Sequence, residues 1–362
     1  MRVLIIVDKG LEDAACLEVK RLDSLLKPKQ IADQLVSVEA TSKQTALLVY
    51  KMQTAIRILS LLHESSVDKQ DPTKVDLSEW ITGNETIKVA ASGFDDPIAV
   101  SRTYGTHLAS TYNLKADMKN PSLRVVVYSM QDTVYVGIDL SQTNLSKREY
   151  RVFTHNASLK ATVAAGLCYL AKITPKMVVL DPFCGGGTIS IEAACILSGK
   201  SPRFYEKHIF GFLSLKPFGD IELDQFDTDA EITGRIQGYD CEFKYVDSAK
   251  KNAKIAGVNK KLYLSRVEAD WLDLKTEKKS VDRVISYPPL FSKYDDKKTI
   301  AAYDEFFDRI TPLLSPKGQI LFLTNDADKL EDLIPEEFDF TVRDVSIGKT
   351  DVSLFTLTLS KK

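Results

Sequence analysis

Three consecutive glycines in Asp181-Pro-Phe-Cys-Gly-Gly-Gly-Thr188 follow an apolar run, Lys176–Leu180, and precede a helix-forming one, Thr188–Leu197. A glycine bend so placed lets main chain approach a ligand closely and aims helix N–H groups at it. The stretch lacks the Gly-Lys-Ser/Thr ending of a phosphate loop, and its spacing differs from the Gly-x-Gly-x-x-Gly of dinucleotide enzymes. Candidate ligand contacts are Asp181, Phe183, Cys184, Gly185, Gly187 and Thr188. Asp240, followed by Cys241, ends the run Arg235–Tyr239, where a doubly wound enzyme places a carboxylate to accept from both ribose hydroxyls. Asp270-Trp271, after Tyr263–Ala269, offers an acceptor for an adenine amino group and a ring to cover the base. Taken singly, either aspartate also suits a cap or a turn. A further site, Ser286-Tyr287-Pro288-Pro289-Leu290, ends the run Val281–Ser286. Its two prolines fix a turn and remove two N–H donors, so carbonyl groups can face a ligand.

These sites must be carried by alternating helices and strands. The patterning predicts helix Ser158–Ala171, strand Lys176–Leu180, helix Thr188–Leu197, strand Arg235–Tyr239, helix Val246–Ala256 and strand Val281–Ser286. A long helix, Ile300–Leu314, is closed by Ser315-Pro-Lys-Gly318 before strand Gln319–Thr324. Two β-rich runs, Phe338–Val345 and Val352–Leu359, complete a doubly wound sheet with a terminal antiparallel hairpin. The interval from Asp181 to Asp240 far exceeds the ~20 residues of a simple nucleotide fold, so residues Gly199–Thr233 form an insertion. Within it, Asp220–Glu231 contains no Lys or Arg and reads first as a solvated acidic face. Lys244, Lys250, Lys251, Lys254, Lys260 and Lys261 gather along one helix and its exit, either to solubilise it or to face phosphates.

The N-terminal part reads as strand Met1–Val7, helix Leu11–Leu26 and a strand pair, Gln34–Glu39 with Thr45–Tyr50. A polar stretch, His63–Thr73, separates it from strand Thr86–Ala91, helix Pro97–Tyr112 and strands Leu123–Tyr128 and Thr133–Leu140, the last two joined by a turn at Gln131-Asp132. Ser141–Thr154 is a polar, basic linker. The chain has 362 residues, 48 Lys+Arg and 50 Asp+Glu, a balance that argues against indiscriminate nucleic-acid binding. No apolar run approaches the roughly 18 residues of a bilayer span, and the opening MRVLIIVDKG does not suit a signal peptide. Five cysteines without a Cys-x-x-Cys pair, and four histidines, predict a cytoplasmic protein without disulfides or metal.

The string from Asp181 to Ala194 resembles the S-adenosylmethionine loop of methyltransferases that modify RNA guanines. Ser286–Leu290 stands where amino-group methyltransferases carry Asn/Asp-Pro-Pro-Tyr/Phe; Tyr287 replaces the Asn/Asp and Leu290 the aromatic, leaving Phe291 or Tyr294 to supply the ring. Val136–Arg151 is similar to the end of a THUMP domain and its exit linker, and Pro202-Arg-Phe204 suits the same family's insertion. His155-Asn-Ala-Ser-Leu-Lys160 resembles a helix lead-in lying against the cofactor, which implies contacts from Ser158 and Leu159.

From end to end the chain resembles the archaeal and bacterial tRNA guanine-N2 methyltransferases. The fold this implies is α/β, a Rossmann-like class I methyltransferase domain (150–362) with a terminal antiparallel hairpin, preceded by an α+β ferredoxin-like domain (1–65) and a THUMP domain (66–145). The implied cofactor is S-adenosyl-L-methionine, and the implied partner is tRNA, gripped by a monomer at its acceptor end through the THUMP domain. Arg102, Lys115, Arg124, Lys147 and Arg148 are candidates for phosphate contact, though taken singly each reads better as a solvated surface charge. The reaction implied is attack by guanine N2 on the sulfonium methyl, with Tyr287, Pro288, Pro289 and Leu290 around the target base. Two alternatives stay open: a ribosomal RNA guanine-N2 methyltransferase, and a non-catalytic RNA-binding homologue in which Tyr287 and Leu290 contact RNA.

Overall fold

The computed structural model describes residues 1–154, 158–292, 296–348 and 350–360. They form two compact units, one from Met1–Val7, Glu18–Leu145 and Arg203–Phe226, the other from Asp8–Leu17, Ser146–Pro202 and Asp227–Lys362.

The first unit is built on strands β1 (Arg2–Ile6), β2 (Lys29–Ala32), β3 (Leu35–Glu39), β4 (Arg57–Ser66), β5 (Thr86–Ser92), β6 (Lys115–Ala116), β7 (Leu123–Met130) and β8 (Thr133–Asp139). They join one sheet in the order β2-β3-β1-β4-β8-β7-β5-β6. Three helices belong to this part of the chain, α1 (Glu12–Leu22), α2 (Ser42–Lys51) and α3 (Pro97–Thr111), and the first half of α1 is counted with the second unit.

Two expectations are corrected here. Thr45–Tyr50 is not a strand but lies within α2, because Thr41 and Gln44 form a reciprocal capping box and Thr45, Ala46, Leu48 and Val49 bury one helical face. The polar His63–Thr73 is not simply a separator, since β4 runs through it to Ser66, paired antiparallel with β1 and then β8. That pairing places strands from residues 1–65 and 66–145 in a single sheet.

Residues 203–226 are read from sequence as part of an insertion in the third domain, yet they are counted with the first unit. Their Phe210, Phe212, Leu215 and Phe218 are buried, and the buried Arg203 guanidinium donates to the carbonyls of Met52 and Leu145 at 2.8 Å each. The acidic block is largely exposed, with Asp224 paired to Lys207 and Asp229 to Lys261.

The second unit is a seven-stranded sheet in the order β11-β10-β9-β12-β13-β15-β14. Strands β9 (Val178–Asp181), β10 (Arg235–Asp240), β11 (Tyr263–Arg266), β12 (Val281–Ser286) and β13 (Leu314–Thr324) run parallel; β14 (Phe338–Ile347) and β15 (Thr350–Leu359) form the antiparallel hairpin. The Rossmann-like expectation holds, terminal hairpin included. Helices α4 (Ala161–Leu170), α5 (Thr188–Ser198), α6 (Phe243–Ile255), α7 (Leu272–Lys275), α8 (Lys297–Ile310) and α9 (Ala327–Glu331) connect the strands. One buried cluster gathers Val163, Leu167, Ile189 and Ala253 from α4, α5 and α6, and another gathers Phe306, Phe307, Phe322 and Phe338.

Ser315–Gly318 does not stop a helix as expected but lies inside β13, where the β12 register jumps from Val281↔Leu314 to Arg283↔Gln319. A bulge of this kind accommodates Pro316, which has no N–H for the ladder. Strand order reverses between β9 and β12, and the crevice outside their carboxyl ends is where such sheets take ligands.

Candidate active site

Asp181 closes β9, and the chain turns through the glycine bend into α5. Gly185 (φ +50°) and Gly187 (φ +80°) adopt left-handed backbone, and the Gly187 amide donates to the Cys184 carbonyl at 2.8 Å to close the turn. A Cβ on Gly187 would sit 2.9 Å from that of Ala249 on α6, so glycine is required there by backbone angle and by packing. The bend is tied to the end of β10 twice. Cys184 N–H donates to the Tyr239 carbonyl at 2.7 Å, and Gly185 N–H donates to Asp240 Oδ2 at 3.0 Å. Asp240 Oδ1 accepts from Glu242 N–H at 2.9 Å, which fixes the carboxylate orientation.

Asp181 is 2% exposed. Burial, helped by the negative charge of Asp240, pushes its carboxyl up to about 7 against the hydrogen bonds from Ser286 Oγ and Phe183 N–H.

A cavity of about 460 Å³ opens at the switch point, a size suited to a small-molecule ligand. From the expected set, Ser158, Leu159, Asp181, Phe183, Cys184, Gly185, Thr188, Asp240, Cys241, Tyr287, Pro288, Pro289 and Leu290 line it. The glycine bend and the Pro-Pro turn thus face one volume. Gly187 does not line it and acts behind the bend against α6. Asp270 and Trp271 do not line it either: after β11 the lining residues are Val267, Glu268 and Ala269, while Trp271 is 56% exposed. The three-residue turn Ala269–Trp271 moves the lining position a residue or two upstream of the expected one.

Tyr287 is half-buried, packs against the α4–α5 core cluster and lines the cavity, and burial holds its phenol above the usual range, so it stays protonated. Phe291 does not supply the missing aromatic. It stacks on Tyr303 (ring centroids 5.3 Å apart, planes within 4°), and its backbone N–H and C=O are both held by Asn325 at 2.9 Å. Tyr294, like residues 155–157 of the lead-in, lies outside the described residues.

Arg148 is corrected outright. Its side chain is 0% exposed and makes a two-pronged pair with Glu192 of α5, Nε–Oε1 at 3.0 Å and Nη2–Oε2 at 3.3 Å, with the Tyr150 hydroxyl donating to Oε1 at 2.7 Å. It cannot reach a phosphate. Arg102, Lys115 and Lys147 are exposed, whereas Arg124 is partly buried and donates to the Gln142 carbonyl at 2.8 Å.

Sequence reasoning missed Asn252. This amide is 2% exposed, donates from Nδ2 to the carbonyls of Phe153 and Gly186 at 2.9 Å each, and accepts from Phe153 N–H at 3.1 Å. A polar residue among the apolar face positions Val246, Ala249 and Ala253 of α6 was the available signal. Glu242, Tyr245, Ala302 and Glu305 also line the cavity without having been singled out.

The residues present fit S-adenosylmethionine. Asp240 is an oriented acceptor for a ribose diol, and Phe183, Val267 and Leu290 supply apolar surface for a base. Among the described residues no His/Cys/Asp/Glu cluster could hold a metal ion, and no helix is long and apolar enough to cross a membrane.

Residues 148–354 match the family described as RMKL-like, methyltransferase domain. A curated relative, tRNA (guanine(6)-N2)-methyltransferase of Methanocaldococcus jannaschii, is 27% identical over 99% of this chain and 100% of its own. Among solved structures, TrmN from Thermus thermophilus aligns with a TM-score of 0.74 at 21% identity over 99% of both chains. SMU.472, crystallised as a complex with SAH, aligns with a TM-score of 0.79 at 22% identity over 100% of this chain and 98% of its own.

Proposed function

Because this chain belongs to the RMKL-like methyltransferase-domain family, we propose that it transfers a methyl group from S-adenosylmethionine to the exocyclic N2 of a guanosine in tRNA. One observation carries this reading: the oriented Asp240 and the glycine bend share a single cavity with Tyr287-Pro288-Pro289-Leu290. The relative that matches nearly the whole chain is named for that reaction on tRNA, which favours tRNA over the ribosomal and non-catalytic alternatives.

Bound S-adenosylmethionine supplies an electrophilic methyl on its sulfonium. The chain's own residues bind and orient. Asp240 would accept from its ribose hydroxyls, and Ser158, Leu159 and the glycine bend, which line the same cavity, would complete its binding surface. The N2 lone pair of guanine is delocalised into the purine, so the site must orient the amine and accept its hydrogens. The main-chain carbonyls of the cavity-lining turn Tyr287-Pro288-Pro289 and the neutral Tyr287 hydroxyl are the acceptors offered here. A guanosine within a duplex must first be extruded, at a cost of roughly a few kcal/mol.

On this reading residues 66–145 are a THUMP domain gripping the acceptor end of tRNA, residues 1–65 a ferredoxin-like domain and 150–362 the catalytic one. Arg102, Lys115 and Lys147 are the phosphate contacts that remain. The protein acts as a cytoplasmic monomer without metal. Incubation with labelled S-adenosylmethionine and unmodified tRNA, followed by digestion to nucleosides, should yield N2-methylguanosine. Cofactor binding with no methylguanosine from any tRNA or ribosomal RNA would refute the reading.

A further inference from the structure

We infer that the exposed face of α6 is a track for the sugar–phosphate backbone of the RNA substrate, and that Phe243 at its head stacks on an unpaired base beside the cavity. The inference rests on the RNA-methyltransferase reading and adds a second point of contact, on the catalytic unit itself.

The helix starts at the cavity, because Cys241, Glu242 and Tyr245 all line it. It then runs for 13 residues, about 20 Å. Val246, Ala249, Asn252 and Ala253 turn inward. Lys244, Lys250, Lys251 and Lys254 turn outward, and Lys260 continues the exposed series in the following turn. Between residues 244 and 261, six lysines face one acidic residue, Asp247, although the whole chain carries a formal net charge of −2. The positive charge is therefore local. Asp247 pairs with Lys251 at 2.7 Å, Glu242 lies 3.9 Å from Lys244, and Asp229 holds Lys261 at 2.9 Å. Among the described residues, Lys250, Lys254 and Lys260 have no such carboxylate and remain available to an external anion.

Solubility or the helix dipole alone does not account for this face. The dipole favours cations only in the last turn, where Lys254 sits, and not at Lys244, Lys250 or Lys251. A solubilising face also has no use for Phe243, which is 70% exposed. Other rings lie among the cations. Lys244 Nζ sits 4.8 Å from the Tyr245 ring centre, and Lys251 Nζ 5.1 Å from that of Phe153. An exposed ring at the head of the helix, followed along it by lysines without a carboxylate partner, is the chemistry that binds a single strand, the ring taking a base and the amines tracking phosphates. A duplex opened to release its target guanosine offers both groups.

The test is binding of fluorescently labelled, in vitro transcribed tRNA across a salt series. The proteins are wild type, the three single variants Lys250→Gln, Lys254→Gln and Lys260→Gln, their triple combination, and Phe243→Ala. Each lysine removed should lower the slope of log affinity against log salt by about 0.7–0.9, and the triple by about two to three. The triple variant should lose on the order of tenfold in tRNA affinity at physiological salt, and Phe243→Ala a similar factor without a change in slope. Affinity for S-adenosylhomocysteine, read by calorimetry, should stay at the wild-type value in all of them. Wild-type salt slopes in the single and triple variants would overturn the inference and leave this face to an acidic protein or to solvent. A wild-type protein that binds tRNA with the expected slope but forms no methylguanosine would sink the proposed reaction while leaving the track standing. Absence of tRNA binding by the wild type would sink both.

Discussion

The Ser286 hydroxyl donates to the Asp181 carboxylate across 2.5 Å, joining the last residue of β12 to the last residue of β9. This bond spans the switch point of the sheet and opposes, without cancelling, the burial that pushes Asp181 up to about 7.

An unfolded chain releases the Asp181 proton near pH 4, whereas the native protein keeps it to about pH 7. The native state thus binds more protons in that window. Its stability contribution is fully present below about pH 4 and is lost as pH rises through 7. Asp181→Asn cannot titrate. The unfolding free energy of the variant should therefore gain on that of the wild type by about 1.4 kcal/mol per pH unit from pH ~5 to ~7, then level off. Urea melts of both proteins across that range check the slope, and a pH-independent difference would contradict the assignment.

Gly187→Ala combines a left-handed residue, φ +80°, with a Cβ only 2.9 Å from Ala249 Cβ. Strain of about 1–3 kcal/mol should lower the melting temperature. Displacement of the bend should weaken S-adenosylhomocysteine binding by roughly tenfold or more. Calorimetry at a temperature where the variant is folded separates the two effects; an unchanged affinity would show that the bend does not shape the ligand site.

Arg148→Ala should cost about 3–5 kcal/mol of stability, because it strands the buried Glu192 carboxylate. Its exposed neighbour Lys147 should tolerate the same change within about 0.5 kcal/mol. In tRNA binding the order reverses, Lys147→Ala lowering the salt slope and folded Arg148→Ala leaving it unchanged. The expected contrast fails if both substitutions alter the slope equally.

Tyr287→Phe keeps the ring that packs against the core and removes only the hydroxyl. If that hydroxyl accepts from the guanine amine, kcat should fall by about tenfold with the KM for S-adenosylmethionine unchanged. Tyr287→Asn, which places an amide at the equivalent position, should preserve or raise activity. A large loss in the asparagine variant, with wild-type turnover in the phenylalanine one, would assign Tyr287 to packing.

The parts of the site legible in sequence are those whose chemistry is local. Asp181 through Thr188 declares a tight approach by residue type alone, and Tyr287-Pro288-Pro289 declares a rigid turn. What escaped depends on distant partners. Asn252 meets Phe153 from 99 residues away, and Arg148 meets Glu192 from 44, so the burial of Asn252 leaves no more than a polar residue on an apolar face and that of Arg148 leaves no local sign. Arg148 in a polar, basic linker reads as surface because nothing adjacent shows that Glu192 covers it. Thr45–Tyr50 was misread for a different reason: β-branched and aromatic residues make up half of a short apolar window, while the decisive Thr41–Gln44 box lies just outside it. Strand β4, Arg57–Ser66, was not read at all: its polar end, His63–Ser66, reads as a separator, and the β8 residues it pairs with lie about 70 positions away.

Residues Arg203–Phe226 complete the first unit, so the nascent chain cannot finish it when Leu145 is made. At ~5–20 residues per second, synthesis through Phe226 takes roughly 4–16 s longer. For most of that interval Tyr50 and Trp80 lack Phe210 and Phe218, the rings they pack against in the finished fold at 6.1 Å each. A gene cut after codon 145 would make that interval permanent, yielding an N-terminal fragment with part of its own interior missing.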